Sequence, residues 1–541
     1  MKHGTRTGIL IVLLVLSVIA FWAPEVDSLS AVVWTDVSTT LQGFTHQSAS
    51  TEGFSGLAWF DYNEDGFLDL FLSNGAGHRN GLMRNNGDGT FTNVSFQAGL
   101  VDLFGGSGVA AADIDNDGHV DLFVNRDGNI MVAIPPRSRL YHNNGDGTFS
   151  NITAASGIVI PSQFGQAMVV AFGDVDNDGF VDLFIGAPGN LPVQNQPGNL
   201  LFHNNGDLTF TDISAGSGLD QPMATCAAAF TDYNDDGLQD LMLANCNDTT
   251  PAPTPFSLMI NEGDLTFTDI ASQVGLDTTT ETDPSPTGRG FWMCVGLSDY
   301  DNDQDFDLFA TNTGNRYGTG QEVGFFEHNA DGTFTSVETE VGIGDEAQEF
   351  GWGCSFADFD NDGFDDLMFG GNLPQRGLIG PGVGNPGYLY MNNQDKTFTR
   401  QLLPVDLSDH YTTGIATADF DNNGTVDIAV SNGAWEGEPQ AKAVLLSNGG
   451  NGNRWLTVKL IGDGIASNRD AIGARVTVIV QGRMMIKEVR AGSSFISQDS
   501  PWLHFGLGSR RMADWVIVRW PSGKRTVLRR VPGNRILTLS E

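Results

Sequence analysis

One nine-residue acidic pattern, Asp-x-(Asp/Asn)-x-(Asp/Asn)-Gly-x-x-Asp, occurs seven times in this chain, with a single departure at the glycine. The copies start at Asp61, Asp113, Asp174, Asp232, Asp299, Asp358 and Asp419, with successive starts 52, 61, 58, 67, 59 and 61 residues apart. A period near 60 residues kept over seven copies requires a repeat architecture, in which each unit buries its apolar faces against its neighbours.

The spacing inside each copy fits calcium. This ion takes six to eight hard oxygen ligands in a flexible shell. A tight loop can aim side chains from positions 1, 3, 5 and 9 at one point, with a backbone carbonyl near position 7. Glycine at position 6 permits the turn because it lacks a Cβ. The side-chain ligands are then Asp61, Asn63, Asp65 and Asp69 in the first loop, and Asp113, Asp115, Asp117 and Asp121 in the second. The third offers Asp174, Asp176, Asp178 and Asp182, and the fourth Asp232, Asn234, Asp236 and Asp240. The fifth offers Asp299, Asp301, Asp303 and Asp307, the sixth Asp358, Asp360, Asp362 and Asp366, and the seventh Asp419, Asp421, Asn423 and Asp427. Carboxylates this close repel one another strongly without a cation. The alternative is a set of Asp/Asn/Gly turns that expose acid to water. Seven copies that keep the ligand positions and vary the residues between them favour about seven Ca²⁺ sites. The sites are not equal. Asn63, Asn234 and Asn423 each remove a formal charge and weaken their loops, and Gln304 replaces the glycine of the fifth, which predicts a strained or reshaped turn.

Each loop lies between two short apolar runs, as in GVAAADIDNDGHVDLFVN. Further on comes a second hairpin signal, such as YHNNGDGTFSNIT or FHNNGDLTFTDIS. Asn-Gly and Asp-Gly between apolar runs mark hairpins. Every repeat therefore reads as four short strands, one blade of a propeller. The expected fold is all-β: a seven-bladed propeller over 31–450, followed by a small β-sandwich-like domain over 451–541. Six blades carry their own fourth strand, of the TFTDIS type, but the seventh runs from AVLLSNGG into different sequence. The segment Val33-Trp34-Thr35-Asp36-Val37-Ser38 matches that type and is expected to complete the last blade.

The chain carries a formal charge of −38, unevenly placed. Residues 451–541 hold 15 basic and 6 acidic residues, a net +9 against −47 on the rest. So acidic a body argues against a nucleic-acid partner. The basic residues of the C-terminal part are scattered among apolar strands and read as a solvated sheet face, with an anionic contact surface as the alternative. Residues 1–30 read as an export signal: Lys2 and Arg6 precede an apolar stretch from Gly8 to Ala23, then small residues at Ser28, Ser30 and Ala31. An uncleaved membrane anchor is the alternative, and the lack of a cysteine after the apolar run excludes lipoprotein processing. Cys226 and Cys246 lie ten residues either side of Asp236 and could face each other across the fourth loop. Cys294 and Cys354 fall in the lead-in strands of adjacent blades, which are expected to lie too far apart to pair.

No nucleophile elbow, metalloprotease helix or phosphate loop is present, so no catalytic residue is assigned. His142, His203 and His328, with Arg84, read as one repeated position before the asparagine turn, a structural pattern. Trp292, Trp352 and Trp435 are candidates for exposed aromatic platforms.

With loops and hairpins in hand, the chain resembles the FG-GAP/VCBS repeat proteins, whose blades build integrin α-like propellers. FGQAMVVAFGDVDNDGFVDLFIGAPGN in the third blade carries both the Phe164-Gly165 and the Gly186-Ala187-Pro188 elements. The last 90 residues resemble the ASPIC/UnbV domain, through NRWLTVKLIG, SNRDAIGARVTV, GSSFISQDSPWLHFGLG and VRWPSGKRT. The pair is similar to the cartilage acidic protein-like family of bacterial type. That resemblance implies a secreted or cell-surface calcium-binding protein whose partner is an extracellular protein or glycan. Animal members add an EGF-like tail, and with no cysteine after Cys354 nothing that tail contributes is carried over. The expected function is a non-enzymatic adhesion or interaction platform with structural calcium. The alternatives are a calcium-dependent glycan-binding protein and a propeller-based polysaccharide-acting enzyme.

Overall fold

Short apolar segments flanking a loop rich in Asp and Gly can pair only as antiparallel hairpins, and each repeat does so twice. The computed structural model describes residues 32–44, 54–74, 78–102, 105–125, 138–161, 169–186, 198–221, 223–246, 256–276, 292–312, 323–343, 351–371, 387–407, 411–433 and 442–541. The export signal, Trp435 and the Phe164-Gly165 and Ala187-Pro188 elements lie outside them. In blade 2, strands Val109–Ala112, Asp121–Val124, Arg139–Asn143 and Phe149–Asn151 pair antiparallel in chain order. Six blades share this order.

The seventh blade takes three strands from its own repeat, Tyr411–Ala418, Asp427–Gly433 and Val444–Asn448, and its fourth from the other end of the chain. Strand Trp34–Asp36 pairs antiparallel with Val444–Asn448, Trp34 opposite Asn448 and Asp36 opposite Leu446. The Trp34 ring meets Phe359 of blade 6 edge-on, at 5.5 Å between centroids. Four-stranded sheets arranged in this way make a seven-bladed propeller.

The first strand of every blade is the innermost. Those of blades 7, 1, 2, 3 and 4 lie side by side in that order, as do those of blades 5, 6 and 7. They are buried on both faces and use small residues such as Ala110, Ala111 and Ala112, because strands converging on an axis leave little room. Larger apolar side chains fill the wedges between blades: Trp59 of blade 1 stacks on Phe420 of blade 7, at 6.2 Å between centroids.

The same convergence overturns one expectation from sequence. Cys294 and Cys354, in neighbouring blades, form a disulfide with Cα atoms 6.1 Å apart, because adjacent inner strands approach most closely near the axis. Cys226 and Cys246 form the other, within blade 4.

Residues 454–541 form two further sheets. One joins Arg454–Ile461, Leu503–Gly508 and Ile536–Ser540; the other orders Arg483–Glu488, Arg475–Val480, Met512–Arg519 and Arg525–Pro532. Val458, Val476, Val478, Phe505, Val516 and Trp520 build their shared core, which is continuous with that of blades 2 and 3 through Ile114 and Val181. The domain sits on the propeller face that carries the acidic loops. Its segment from Ala491 to Ser500 enters the space ringed by the inner strands. There Gln498 accepts from Ala111 N (2.9 Å), donates to Ala111 O (3.1 Å), and exchanges backbone hydrogen bonds with Leu57 and Trp59. Phe172 N donates to Ala491 O at 2.9 Å and Cys354 N to Ser494 Oγ at 3.1 Å. Asp499 accepts from Thr417 N (2.7 Å) and Ser355 Oγ (2.9 Å).

Candidate metal centres

Each acidic loop joins the first strand of its blade to the second, and its nine residues divide the work. In blade 2, the position-1 carboxylate of Asp113 accepts from the backbone N–H of Asp117 (3.1 Å) and Gly118 (2.7 Å), which closes the turn. Asp174 and Asp358 do the same in blades 3 and 6. The position-6 glycines adopt φ of 86–95°. Gln304 takes φ 85° at that position, so the fifth turn is kept in a backbone conformation unfavourable to a side chain, and is not reshaped.

The position-9 aspartates, Asp69, Asp121, Asp182, Asp240, Asp307, Asp366 and Asp427, begin the second strands and are fully buried. Asp121 shows the pattern: Oδ2 accepts from Ile114 N at 3.0 Å and Oδ1 from Asn143 N, on the third strand, at 2.7 Å. One carboxylate thus fastens the loop and the third strand around the second. Position 9 is structural before any ion is considered.

The ligand atoms come together. Oxygens of Asp113, Asp115 and Asp121 lie within 4.8 Å of one another, as do those of Asp174, Asp176 and Asp178, and of Asp299, Asp301 and Asp303. Buried oxygens of Asp232, Asp299, Asp307 and Asp419 have no hydrogen-bond donor. Burial pushes Asp69, Asp113, Asp174 and Asp299 up to about 8, and Asp240, Asp360 and Asp419 up to about 7. Asp121, Asp307, Asp358, Asp366 and Asp427 are raised well above the ordinary carboxylate range for the same reason. Buried acceptor-only oxygens without donors fit a hard divalent cation, which would compensate their charge. The residues that would hold it are those at positions 1, 3, 5 and 9.

In three loops a carboxylate at a ligand position already faces a cation from elsewhere in the chain. Lys459 Nζ lies 3.5 Å from Asp61 Oδ2, Arg519 Nη2 2.5 Å from Asp232 Oδ2, and Lys396 Nζ 2.5 Å from Asp301 Oδ2. These are the first, fourth and fifth loops, the ones with Asn63, Asn234 and Gln304. In blades 2 and 3 the neighbours are histidines instead: His142 Nε2 is 3.3 Å from Asp115 and His203 Nδ1 3.1 Å from Asp182. Hydrogen bonding to Asp182 raises His203 to about 9.

Two sets of asparagines tie neighbouring loops together at every junction except that of blades 4 and 5, where Asp235 and His328 stand in their places, a role the sequence reading missed. The position-4 residues Asn116, Asn177, Asn302, Asn361 and Asn422 each donate to the position-6 carbonyl of the next blade, Asn422 reaching Gly66 of blade 1. The asparagine ending the third strand donates backwards. Asn143 Nδ2 reaches Tyr62 O at 2.9 Å, and Asn85 Nδ2 joins blade 1 to blade 7 at Phe420 O, 2.7 Å away. Both signals were in the sequence as recurrent Asn, but a contact to the neighbouring repeat leaves no mark within one repeat. The register also corrects the histidine alignment. His328 lies opposite Phe334 as Asn143 lies opposite Phe149, so Glu327, not His328, shares the place of His142. Trp292 and Trp352 are core residues at 3% and 6% exposure, not surface platforms.

The C-terminal domain covers this face. Asp113 N donates to Asp470 Oδ2 (2.6 Å), Arg469 N to Asn116 Oδ1 (2.7 Å), and Gly506 N to Asp358 Oδ2 (3.0 Å). His504 bridges Thr457 Oγ1 and Asn361 Oδ1, and full burial lowers it to about 3. Lys487 pairs with Asp365 and Arg475 with Asp235, both at 2.6 Å. Lys459, Arg475, Lys487 and Arg519 are therefore spent on the acid of the propeller, which corrects the picture of a wholly solvated basic face.

Comparison with known proteins agrees with this architecture. Residues 61–124, 125–185 and 299–369 match the FG-GAP-like repeat family, and 464–541 match the ASPIC and UnbV family. Cartilage acidic protein 1 of Homo sapiens is 25% identical over 443 residues, covering 80% of this chain and 52% of the relative. The Mus musculus protein of the same name is 24% identical over 443 residues, covering 80% and 54%. That of Xenopus tropicalis is 25% identical over 520 residues, covering 91% and 74%. The chain spans about half the length of the human and mouse relatives. It is an FG-GAP-repeat β-propeller carrying an ASPIC/UnbV domain, similar at a distance to cartilage acidic protein 1.

Proposed function

We propose that this protein is an extracellular, non-enzymatic interaction platform, a propeller braced by calcium in its seven loops. The observation that carries the reading is the state of the central channel. Ala491 to Ser500 fills the space where loops of several blades could otherwise assemble a catalytic site, and its polar groups are hydrogen-bonded to inner strands. A cavity of about 140 Å³ remains beside it, lined by Glu488, Arg490 and Asp499 among others. These charges are matched internally: Arg490 pairs with Glu488 at 3.2 Å, and Asp499 also accepts from Ser493 Oγ at 3.0 Å.

The names of the relatives, the two disulfides and the expected export signal support a location outside the cytoplasm. Among the described residues, no helix is long and apolar enough to cross a membrane. Calcium in this reading holds blades and the docked domain in place and activates no water. The reading is tested by pull-down and glycan-array screening of the chain lacking residues 1–30, with and without calcium. Incubation with polysaccharide and ester substrates runs alongside. Calcium-dependent capture without turnover is the expected result. Turnover abolished by one point mutation that leaves the fold intact would replace the platform with an enzyme.

A further inference from the structure

The C-terminal domain is basic at both ends of its four-stranded sheet, but only one end meets the propeller. Strand Arg483–Glu488 lies against blade 6, where Lys487 pairs with Asp365. Strand Arg525–Pro532 is the opposite edge, paired only with Met512–Arg519. Along that free edge and its two flanking turns lie Arg510, Arg511, Arg525, Arg529, Arg530 and Arg535, all exposed. None of the six has a carboxylate partner among the described residues. Asp514, the acidic residue on the neighbouring strand, accepts from Gln481 N at 2.8 Å. Lys524, at the start of the edge, is paired with Asp463 and Glu541.

The register sets out a recognition strip. Arg525 stands opposite Arg519, Val527 opposite Ile517 and Arg529 opposite Trp515, so Arg525, Val527 and Arg529 share one face. Val527 is 51% exposed. The Arg529 guanidinium stacks on Trp515, its carbon 4.0 Å from the ring centroid. Stacking holds the fork in place and leaves its N–H edge free for a bidentate anion. Six uncompensated guanidinium groups repel one another, and a polyanion relieves that repulsion.

We propose that this edge binds a linear anionic polysaccharide, one bearing uronate carboxylates or sulfates, through guanidinium–anion pairs. Three rival occupants fit less well. Adding a β-strand needs a regular edge, whereas Arg530 breaks the ladder at φ 55° and Pro532 lacks an N–H. Single-stranded nucleic acid needs bare aromatic platforms, and Trp515 is covered by Arg529. A second copy of this chain offers the hairpin acids Asp88, Asp146 and Asp207, one per blade and each hydrogen-bonded to its own threonine, not a linear array. The inference deepens the platform reading by naming a partner class. Its test is separable, because capture through this edge uses no loop ligand and proceeds with calcium held saturating throughout.

The experiment measures affinity of the full chain lacking residues 1–30 for polygalacturonate, alginate, heparin and single-stranded DNA, with neutral dextran as control, across a salt series. Wild type should bind the three polyanions, release them as salt rises and ignore dextran. Arg525→Ser/Arg529→Ser/Arg530→Ser should weaken binding at least about tenfold with an unchanged melting curve. Arg510→Ser/Arg511→Ser, confined to a turn, gives a second reading if the triple variant melts early, and Lys442→Ala on the propeller should change nothing. The proposal falls if wild type fails to bind, if both arginine variants bind as tightly as wild type, or if single-stranded DNA binds more tightly than any polysaccharide. It also falls if sedimentation reveals a dimer that these substitutions dissolve, since the edge is then covered by a second copy.

Discussion

At the scale of single residues, the nine-residue loop contains two kinds of aspartate that look alike in sequence. Asp115 projects toward the candidate ion and solvent, whereas Asp121 is buried and satisfies two backbone N–H groups of different strands. Their substitutions should separate. Asp121→Ala orphans both donors and should cost about 2–5 kcal/mol even without calcium, and more with it because a ligand is also lost. Asp115→Ala should lower the melting temperature only when calcium is present, since in its absence the change relieves repulsion. Thermal melts of both variants in calcium and in EDTA check this, and an equal loss in both buffers for Asp115→Ala would remove it from the metal site. Gln304→Gly should stabilise by about 1 kcal/mol by relieving the backbone at φ 85°. The clustering of the loop carboxylates was legible because spacing within one loop is local. The correspondence of Asn63, Asn234 and Gln304 with loops that face Lys459, Arg519 and Lys396 was not, because two of the three cations come from the C-terminal domain and the third from the next blade.

At the scale of elements, four strands per blade and the borrowed strand from the N-terminal end could be read from hairpin signals and from one missing fourth strand. Deleting residues 31–38 should expose the edge Val444–Asn448, producing aggregation or loss of cooperative unfolding. A truncated chain that stays monomeric and melts like the parent would place ring closure elsewhere. What escaped the sequence are distances between repeats. The Cys294–Cys354 bond depends on how tightly inner strands converge, and the Asn143–Tyr62 link on how one blade leans against the last. Neither follows from the hydrophobic pattern of a single repeat. The docking of residues 454–541 was hidden for a similar reason. Alternation of Val476, Val478 and Val480 with Arg475, Thr477 and Ile479 gives a sheet with two faces, but not which edge meets acid.

At the scale of the whole molecule, charge and metal content decide stability together. In metal-free protein the buried loop aspartates have folded-state pKa values raised to 7–8 from about 4. The folded state therefore holds more protons than the unfolded chain across that interval. Its stability is greatest below about pH 4 as far as these groups go, and is lost progressively as pH rises to about 8. Chelated protein should accordingly melt lower at pH 8 than at pH 5.5, and saturating calcium should reverse the trend by favouring the ionised loops. Each ion bound at tenfold over its Kd adds about 1.4 kcal/mol to the folded state. Because Asp113, Asn116, Asp358 and Asn361 touch the C-terminal domain, chelation should also speed hydrogen exchange in Ala491–Ser500.

The central claim, a propeller braced by calcium in its repeated loops, is tested most directly by counting ions. Native mass spectrometry of the chain lacking residues 1–30, titrated with calcium into the millimolar range, should give up to seven bound ions. The last to fill should be those of blades 1, 4 and 5, where Lys459, Arg519 and Lys396 already face the loop carboxylates. Fewer than three ions at millimolar calcium, with a melting curve unmoved by EDTA, would contradict it.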